Sequence, residues 1–372
     1  MMTNLEYKQS VDIVIYLCSC AVNGTIPEIS TSINLEHLYE AAQKHMLASM
    51  IGQVLKSIGI SSPQFKDAIA LAQRKAIILN NDLACVKNAL EAAGIWYMPL
   101  KGAVLNSCHP HFAMREMCDQ DILFDKTRAD DVKVIMESPG FQVKRYGAYN
   151  DDDYFKHPVS RFEMHRSLFG KWHHEKFYKY YRDVKDRLVK DEDNSFGYHF
   201  TPEDFYIFMI AHEYKHFHMG GTGLRSLLDT YVLLHTKELN LTYVDGELEK
   251  LGIAKYEKQN KELADHLFGG EKMTMADSLM LDYILASGTY GTFENNVKNK
   301  IDTIGKQKYI TKRIFGPMDN NDPSRKLFRK RYEVFFRHKL LLPFLPFYRL
   351  FCAFVRNPKR IKIEADAIRK AR

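Results

Sequence analysis

The sequence predicts an α+β fold in which a short strand-bearing stretch lies between two helical regions. Three observations carry this. Apolar residues recur every three to four positions over Val11–Val22, Asn34–Lys56 and Phe65–Ala93, the period of helices with one buried face. From Ile95 the texture changes to brief apolar runs of four to six residues, which suit strands. After Lys171 the helical spacing returns and persists. The expected organisation is therefore a helical region over 1–93, a core over 94–170 and a helical region over 171–372.

Within the core, Ile95–Leu100 reads as a strand that follows the helix stop at Gly94, and Lys101-Gly102 opens a helix. Asp121–Phe124 is the second strand. Thr127–Met136 reads as a helix with Thr127 as its N-cap. Ser138-Pro139-Gly140 turns the chain into Phe141–Lys144, and Asp151-Asp152-Asp153 reads as a polar loop. Val159–Leu168 alternates, with Arg161, Glu163 and His165 on one face and Phe162 and Met164 on the other. Downstream, Thr201-Pro202-Glu203 starts the helix Phe205–His218, and Leu224–His235 follows a glycine-rich break. Further helices are expected to Leu285 and over Phe293–Ile304. A basic aromatic segment, Arg325–Arg360, leads into a charged helix, Lys359–Arg372.

Composition narrows the class. An apolar share of 45% and a charged share of 27% give enough core for a globular chain and exclude low-complexity disorder. No apolar run reaches the roughly 18–20 residues that span a bilayer. The nearest, Leu340–Val355, is interrupted by Pro343, Pro346 and Arg349, so no membrane span is expected. Six cysteines without CxxC or paired spacing read as reduced thiols, which points to the cytoplasm. The net charge of +7 favours anionic ligands without establishing nucleic-acid binding.

Several side chains carry chemistry. Asp119 and Asp121, at i and i+2 of a strand, share a face as a metal-binding pair must; the plainer reading is a solvated strand edge. Lys101 at a helix start is electrostatically misplaced unless an anion sits there, and Gly102 lets backbone approach a bound group. Arg115 suits either phosphate or the aspartate pair, and Glu163 is either a third acid or the partner of Arg161 or Arg166. His212-Glu213-Tyr214-Lys215-His216 matches HExxH, the helical zinc-hydrolase pattern, but Gly220-Gly221 break the helix before a third ligand. Arg225 and Asp229, four apart, form an i,i+4 ion pair or reach a ligand.

Leu100-Lys101-Gly102, Arg115, Asp119-Gln120-Asp121, Glu163-Met164-His165, His212–His216 and Arg225 with Asp229 together resemble an uncharacterised nucleotidyltransferase family, over roughly residues 35–290. The resemblance implies a small mixed-sheet nucleotidyltransferase core. It also implies Mg²⁺, two ions with Mn²⁺ as a substitute, held by Asp119, Asp121 and Glu163. Lys101, Gly102 and Arg115 would sit at the phosphates, Glu163 would double as general base, and His165, His212, His216, Arg225 and Asp229 would supply further contacts. The partners so implied are an NTP and an unidentified acceptor, whether small molecule, protein or RNA; oligomeric state is left open. Two departures stand out. Gly102 lies between Lys101 and Ala103 with no adjacent hydroxyl, and Gln120 replaces the usual apolar residue, which suggests a less buried face. The readings are thus an Mg²⁺-dependent nucleotidyltransferase, a catalytically lapsed nucleotide-binding protein of the same fold, or a zinc hydrolase on the HEYKH helix.

Overall fold

Residues 2–29, 32–171, 175–316 and 324–371 are described by a computed structural model. Residues 172–174, 317–323 and 372 of the expected C-terminal region lie outside them. The chain divides into two compact units, Met1–Tyr214 with Gly223–Leu285, and Lys215–Thr222 with Ala286–Arg372.

The N-terminal helices are α1 (Asn4–Asn23), α2 (Leu35–Lys44), α3 (Ala48–Ser57) and α4 (Pro63–Ala92). Thr3 and Glu6 form a capping box at the head of α1, which satisfies backbone N–H groups that the helix itself cannot. The expected single helix over Asn34–Lys56 is two helices, broken where Met46 takes φ +56°. The reason lies at His45. Its ring is fully buried, with Nε2 at 2.9 Å from the Tyr7 hydroxyl and Nδ1 accepting from Leu224 N at 3.3 Å. Burial lowers its pKa to about 3, so it packs as a neutral ring.

Next come β1 (Tyr97–Pro99), α5 (Gly102–Leu105), β2 (Gln120–Phe124), α6 (Ala129–Glu137), β3 (Gln142–Arg145), β4 (Asp151–Lys156) and β5 (Ser160–His165). The five strands form one mixed sheet in the order β1-β2-β5-β4-β3. β2 and β5 are parallel, with Gln120 opposite Phe162, Asp121 opposite Glu163 and Ile122 opposite Met164; the other pairs are antiparallel. Strand alternation then sorts the two faces. Ile122, Phe124, Phe162 and Met164 pack with Val86 and Leu90 of α4 and Val132 and Met136 of α6. Asp121, Glu163 and His165 take the opposite face.

Three further expectations are corrected. Thr127 is not the cap of α6: Asp125 Oδ1 accepts from Thr127 N at 3.0 Å, and a 3-10 turn over Lys126–Arg128 precedes the helix. The three aspartates 151–153 are strand, not loop. Arg166 Nε lies 2.8 Å from Asp152 Oδ2, Arg161 Nε 2.9 Å from Asp153 Oδ1, and Arg145 pairs with Asp151, so cross-strand charge pairing overrides the low strand preference of aspartate. Between residues 175 and 200 the helix α7 (Glu175–Tyr180) is short, and a hairpin of β6 (Val189–Lys190) and β7 (Tyr198–His199) follows. Tyr97 N donates to Phe196 O at 3.0 Å, tying this segment to β1.

The remaining helices are α8 (Pro202–Met219), α9 (Leu224–Thr236), α10 (Leu241–Leu251), α11 (Ala254–Phe268), α12 (Met275–Ser287), α13 (Phe293–Ile304), α14 (Lys306–Phe315), α15 (Ser324–Arg331), α16 (Glu333–Arg337), α17 (Leu345–Arg356) and α18 (Pro358–Lys370). No single described helix is long and apolar enough to cross a membrane. In the first unit, the Glu213 carboxylate of α8 is buried between α9 and α11. It accepts from Asn260 Nδ2 at 3.0 Å and from the Thr230 hydroxyl at 3.5 Å. Burial pushes its pKa up to about 7.

A carboxyl whose folded pKa lies above its usual 4.5 is protonated in the native state at pH 5 and costs stability as pH rises towards about 7. Glu213→Gln keeps an acceptor for Asn260 and removes the ionisation. Denaturant unfolding at pH 5 and pH 8 should show that the variant flattens this decline and is more stable than the wild type at pH 8 by about 3 kcal/mol.

Candidate active site

The site begins where β1 ends. Leu100 N donates to Asp121 O at 2.9 Å, and the chain then turns at Lys101 with φ +43° and ψ −105°. A non-glycine residue in this region costs on the order of 1–3 kcal/mol. The surroundings hold it there: the Lys101 carbonyl accepts from Val104 N at 3.0 Å and Leu105 N at 2.8 Å, and Lys101 Nζ lies 2.9 Å from Asp121 Oδ1. α5 is one turn long, so aligned peptide dipoles contribute little attraction for an anion at Gly102.

Asp121 is the hub. Its Oδ1 accepts from Lys101 and also lies 2.7 Å from His165 Nε2. Glu163 stands opposite Asp121 across the β2–β5 ladder, its Oε2 at 4.0 Å from His165 Nε2. One ligand atom from each of Asp121, Glu163 and His165 falls within 4.8 Å of the others, a grouping that could hold a metal ion. Arg161, the next residue on the same face of β5, lies 3.4 Å from Glu163 and also pairs with Asp153.

The charges are unequal. Burial alone would raise the pKa of Asp121, but Lys101 and His165 outweigh it and hold the carboxyl well below the usual range. Glu163 goes the other way, raised by burial and by the Asp121 and Asp119 charges. Asp119 is likewise raised by burial and by Asp121, against the pull of Lys101 and Arg161. One carboxylate is thus firmly anionic, and two more nearby would gain from an added cation.

Arg115 stands on the loop between α5 and β2. It grips Asp229 of α9 with both arms, Nε to Oδ1 at 2.8 Å and Nη2 to Oδ2 at 2.9 Å, and His109 Nε2 lies 3.2 Å from the same Oδ1. Its Nη1 faces Gly102, where an added Cβ would sit 3.3 Å away. Arg225 donates to Glu116 O at 2.8 Å, the Glu116 carboxylate accepts from Ser49 N at 3.0 Å, and the Ser49 hydroxyl donates to Ala113 O at 2.8 Å. Of the two readings open for Arg225 and Asp229, a mutual ion pair or contacts to a ligand, the pair is not formed: each instead contacts this loop, which is pinned from α3 on one side and α9 on the other.

Residues 31–269, well over half of the chain, match the family model of an uncharacterised nucleotidyltransferase. The chain belongs to this nucleotidyltransferase family. No curated protein and no solved structure matches it.

The residues singled out in the sequence come together unevenly. Lys101, Gly102, Arg115, Asp119, Asp121, Glu163 and His165 cluster at the ends of β1, β2 and β5 and the loop before β2. Asp119 lies just ahead of β2 rather than in it and falls outside the tight trio, whereas His165 joins it. Gln120 is fully buried rather than on an exposed face, its Nε2 donating to Leu79 O at 3.5 Å. Both histidines of the HEYKH segment lie on the continuous helix α8, four residues apart. Glu213, the base a zinc hydrolase would need, is turned into the α9–α11 core. His109 had no signal in the sequence, because its partner Asp229 lies 120 residues away. The ligand-forming place of His165 was within reach, since it sits two residues from Glu163 on one strand face.

The donor set fits a divalent cation. Two carboxylates suit Mg²⁺ or Mn²⁺, and the imidazole nitrogen is better matched to Mn²⁺. Asp229 is buried and the Arg115 side chain is nearly so, and Arg115 and His109 hold the Asp229 pKa well below the usual range against the effect of burial. Arg115→Met strands that carboxylate and should destabilise the protein by about 3–5 kcal/mol in denaturant unfolding. Arg115→Met combined with Asp229→Leu should recover most of this loss, because no buried charge is left unpaired.

Proposed function

We propose that this protein transfers a nucleoside monophosphate from an NTP to an acceptor in a divalent-metal-dependent reaction, with Mg²⁺ as the ion and Mn²⁺ as a substitute. The observation that carries the reading is the parallel β2–β5 register, which sets Asp121 opposite Glu163 with His165 beside them, at the sheet end where Lys101, Gly102 and Arg115 also gather.

The roles follow from charge and position. Asp121 is the anchoring carboxylate, kept ionised by Lys101 and His165. Glu163 and Asp119 complete the acidic set. Glu163, raised towards neutrality and half-buried, is the candidate to take the proton of an attacking acceptor hydroxyl. Lys101 and the Arg115 Nη1 beside Gly102 supply positive charge for the triphosphate, with Arg115 oriented in advance by Asp229. The metal, when bound, would stabilise charge on the reacting phosphate oxygens. In the transfer, the acceptor oxygen bonds to the α-phosphorus, the bond to the β-phosphate bridge breaks, and pyrophosphate leaves.

A second reading, a nucleotide-binding protein that no longer transfers, is favoured by two observations: the Lys101 ammonium is already engaged by Asp121, and no hydroxyl flanks Gly102.

Calorimetry with each NTP and Mg²⁺ should detect binding, weakened at least about tenfold by Asp121→Asn. Failure of every NTP to bind would remove both readings. Incubation with α-labelled NTPs and cell extract separates the two, since transferred label requires a competent site and label that binds without transfer marks a lapsed one.

A further inference from the structure

The second unit carries a helix whose amphipathicity is reversed. In a soluble protein the apolar stripe of a surface helix faces the core and charge faces water. In α17 the apolar stripe faces out: Phe347, Leu350, Phe351, Phe354 and Val355, at the i, i+3, i+4, i+7, i+8 spacing of one face, are all exposed. Phe347 is 71% exposed, Phe351 68% and Phe354 65%. The turn before it extends the patch with Leu340, 90% exposed, and Phe344. The inward face carries Leu345 and the one arginine in mid-helix, Arg349. Its Nη1 donates to Ile314 O at 2.7 Å, and its guanidinium lies over the Phe328 and Tyr332 rings.

Charge along the segment itself is of one sign. From Val334 to Ile363 there is no aspartate or glutamate. Arg337 and Lys339 precede the apolar stripe, and Arg356, Lys359, Arg360 and Lys362 follow it, all exposed. A cavity of about 1170 Å³ opens along the flank of α17, lined by Arg331, Arg349, Arg356 and Arg360, with Glu333 its one acid among the described residues. After Asn357 the chain bends by 114° into α18.

We propose that the 339–356 segment is a docking surface for an anionic phospholipid membrane, lying in the interface plane. Interfacial helices combine an aromatic and aliphatic face, which enters the headgroup–acyl boundary, with basic residues that meet anionic headgroups. At 12 residues α17 alone is about 18 Å long, short of a hydrocarbon core of about 30 Å, and the 114° bend before α18 keeps the 339–356 stretch and α18 from forming one straight span. A second copy of the chain is a poorer occupant. Two such patches meeting face to face would also bring their basic rims together. RNA is poorer too, since the outermost side chains are aliphatic and aromatic, with the cations at the rim.

Flotation of the full chain with vesicles tests this. The wild type should float with phosphatidylcholine–phosphatidylserine vesicles and weakly or not at all with phosphatidylcholine alone. Phe347→Glu with Phe351→Glu should cut binding at least about tenfold. These side chains are exposed, so circular dichroism and thermal unfolding should match the wild type. Arg356→Glu with Lys359→Glu should weaken binding and reduce its salt dependence. Three results would overturn the proposal: no flotation of the wild type with anionic vesicles, unchanged binding of the Phe347/Phe351 variant, or a lipid-free dimer in light scattering that the same variant dissociates.

Discussion

The parallel pairing of β2 with β5 is the contact on which the rest of the site depends. Asp121 and Glu163 are 42 positions apart in the chain, and their adjacency is a property of register alone. A shift of one residue along either strand would send its carboxylate to the opposite face, into the packing of Ile122, Phe124, Phe162 and Met164 against α4 and α6. That same apolar packing prevents the slip, because it would turn out two fully or nearly fully buried side chains, Ile122 and Phe124 or Phe162 and Met164. The core on one face of the sheet thus enforces the charge pattern on the other.

A second constraint operates outside the sheet. The loop that brings Arg115 and Asp119 towards β2 has little regular structure, yet it is held at several points. Arg115 and His109 converge on Asp229, Arg225 reaches the Glu116 carbonyl, and Ser49 engages Glu116 and Ala113. Helices that pack far from the strands in sequence therefore determine where a guanidinium points. Preorganised charge of this kind avoids the reorganisation that a mobile side chain would undergo on meeting a polyphosphate.

What the sequence made legible was periodic. Phe293–Ile304 forms a helix over those bounds, and the alternation through Arg161–His165 placed Glu163 and His165 on one face as read. The family, too, was readable from the spaced motifs, and its model covers residues 31–269. The misses share a cause, which is that long-range partners decided the local structure. Three consecutive aspartates form a strand because arginines 145, 161 and 166 lie across from them. The helix breaks at Met46 because His45 is drawn between Tyr7 and Leu224. Arg225 and Asp229, which helical spacing left open as a mutual pair or as ligand contacts, each engage a distant loop. Gln120 looked like a sign of exposure, whereas an amide whose donor reaches Leu79 O can be buried.

Lys101 sets two requirements against each other at a single position. Its backbone conformation is one that glycine adopts freely, while the ammonium it places on Asp121 can come only from a long cationic side chain. Glycine there would relieve the backbone cost and would also remove the ammonium from Asp121. Residue 101 is therefore a place where backbone strain and a buried charge contact trade against each other, and redesign for stability that installed glycine there would remove the Lys101–Asp121 pair.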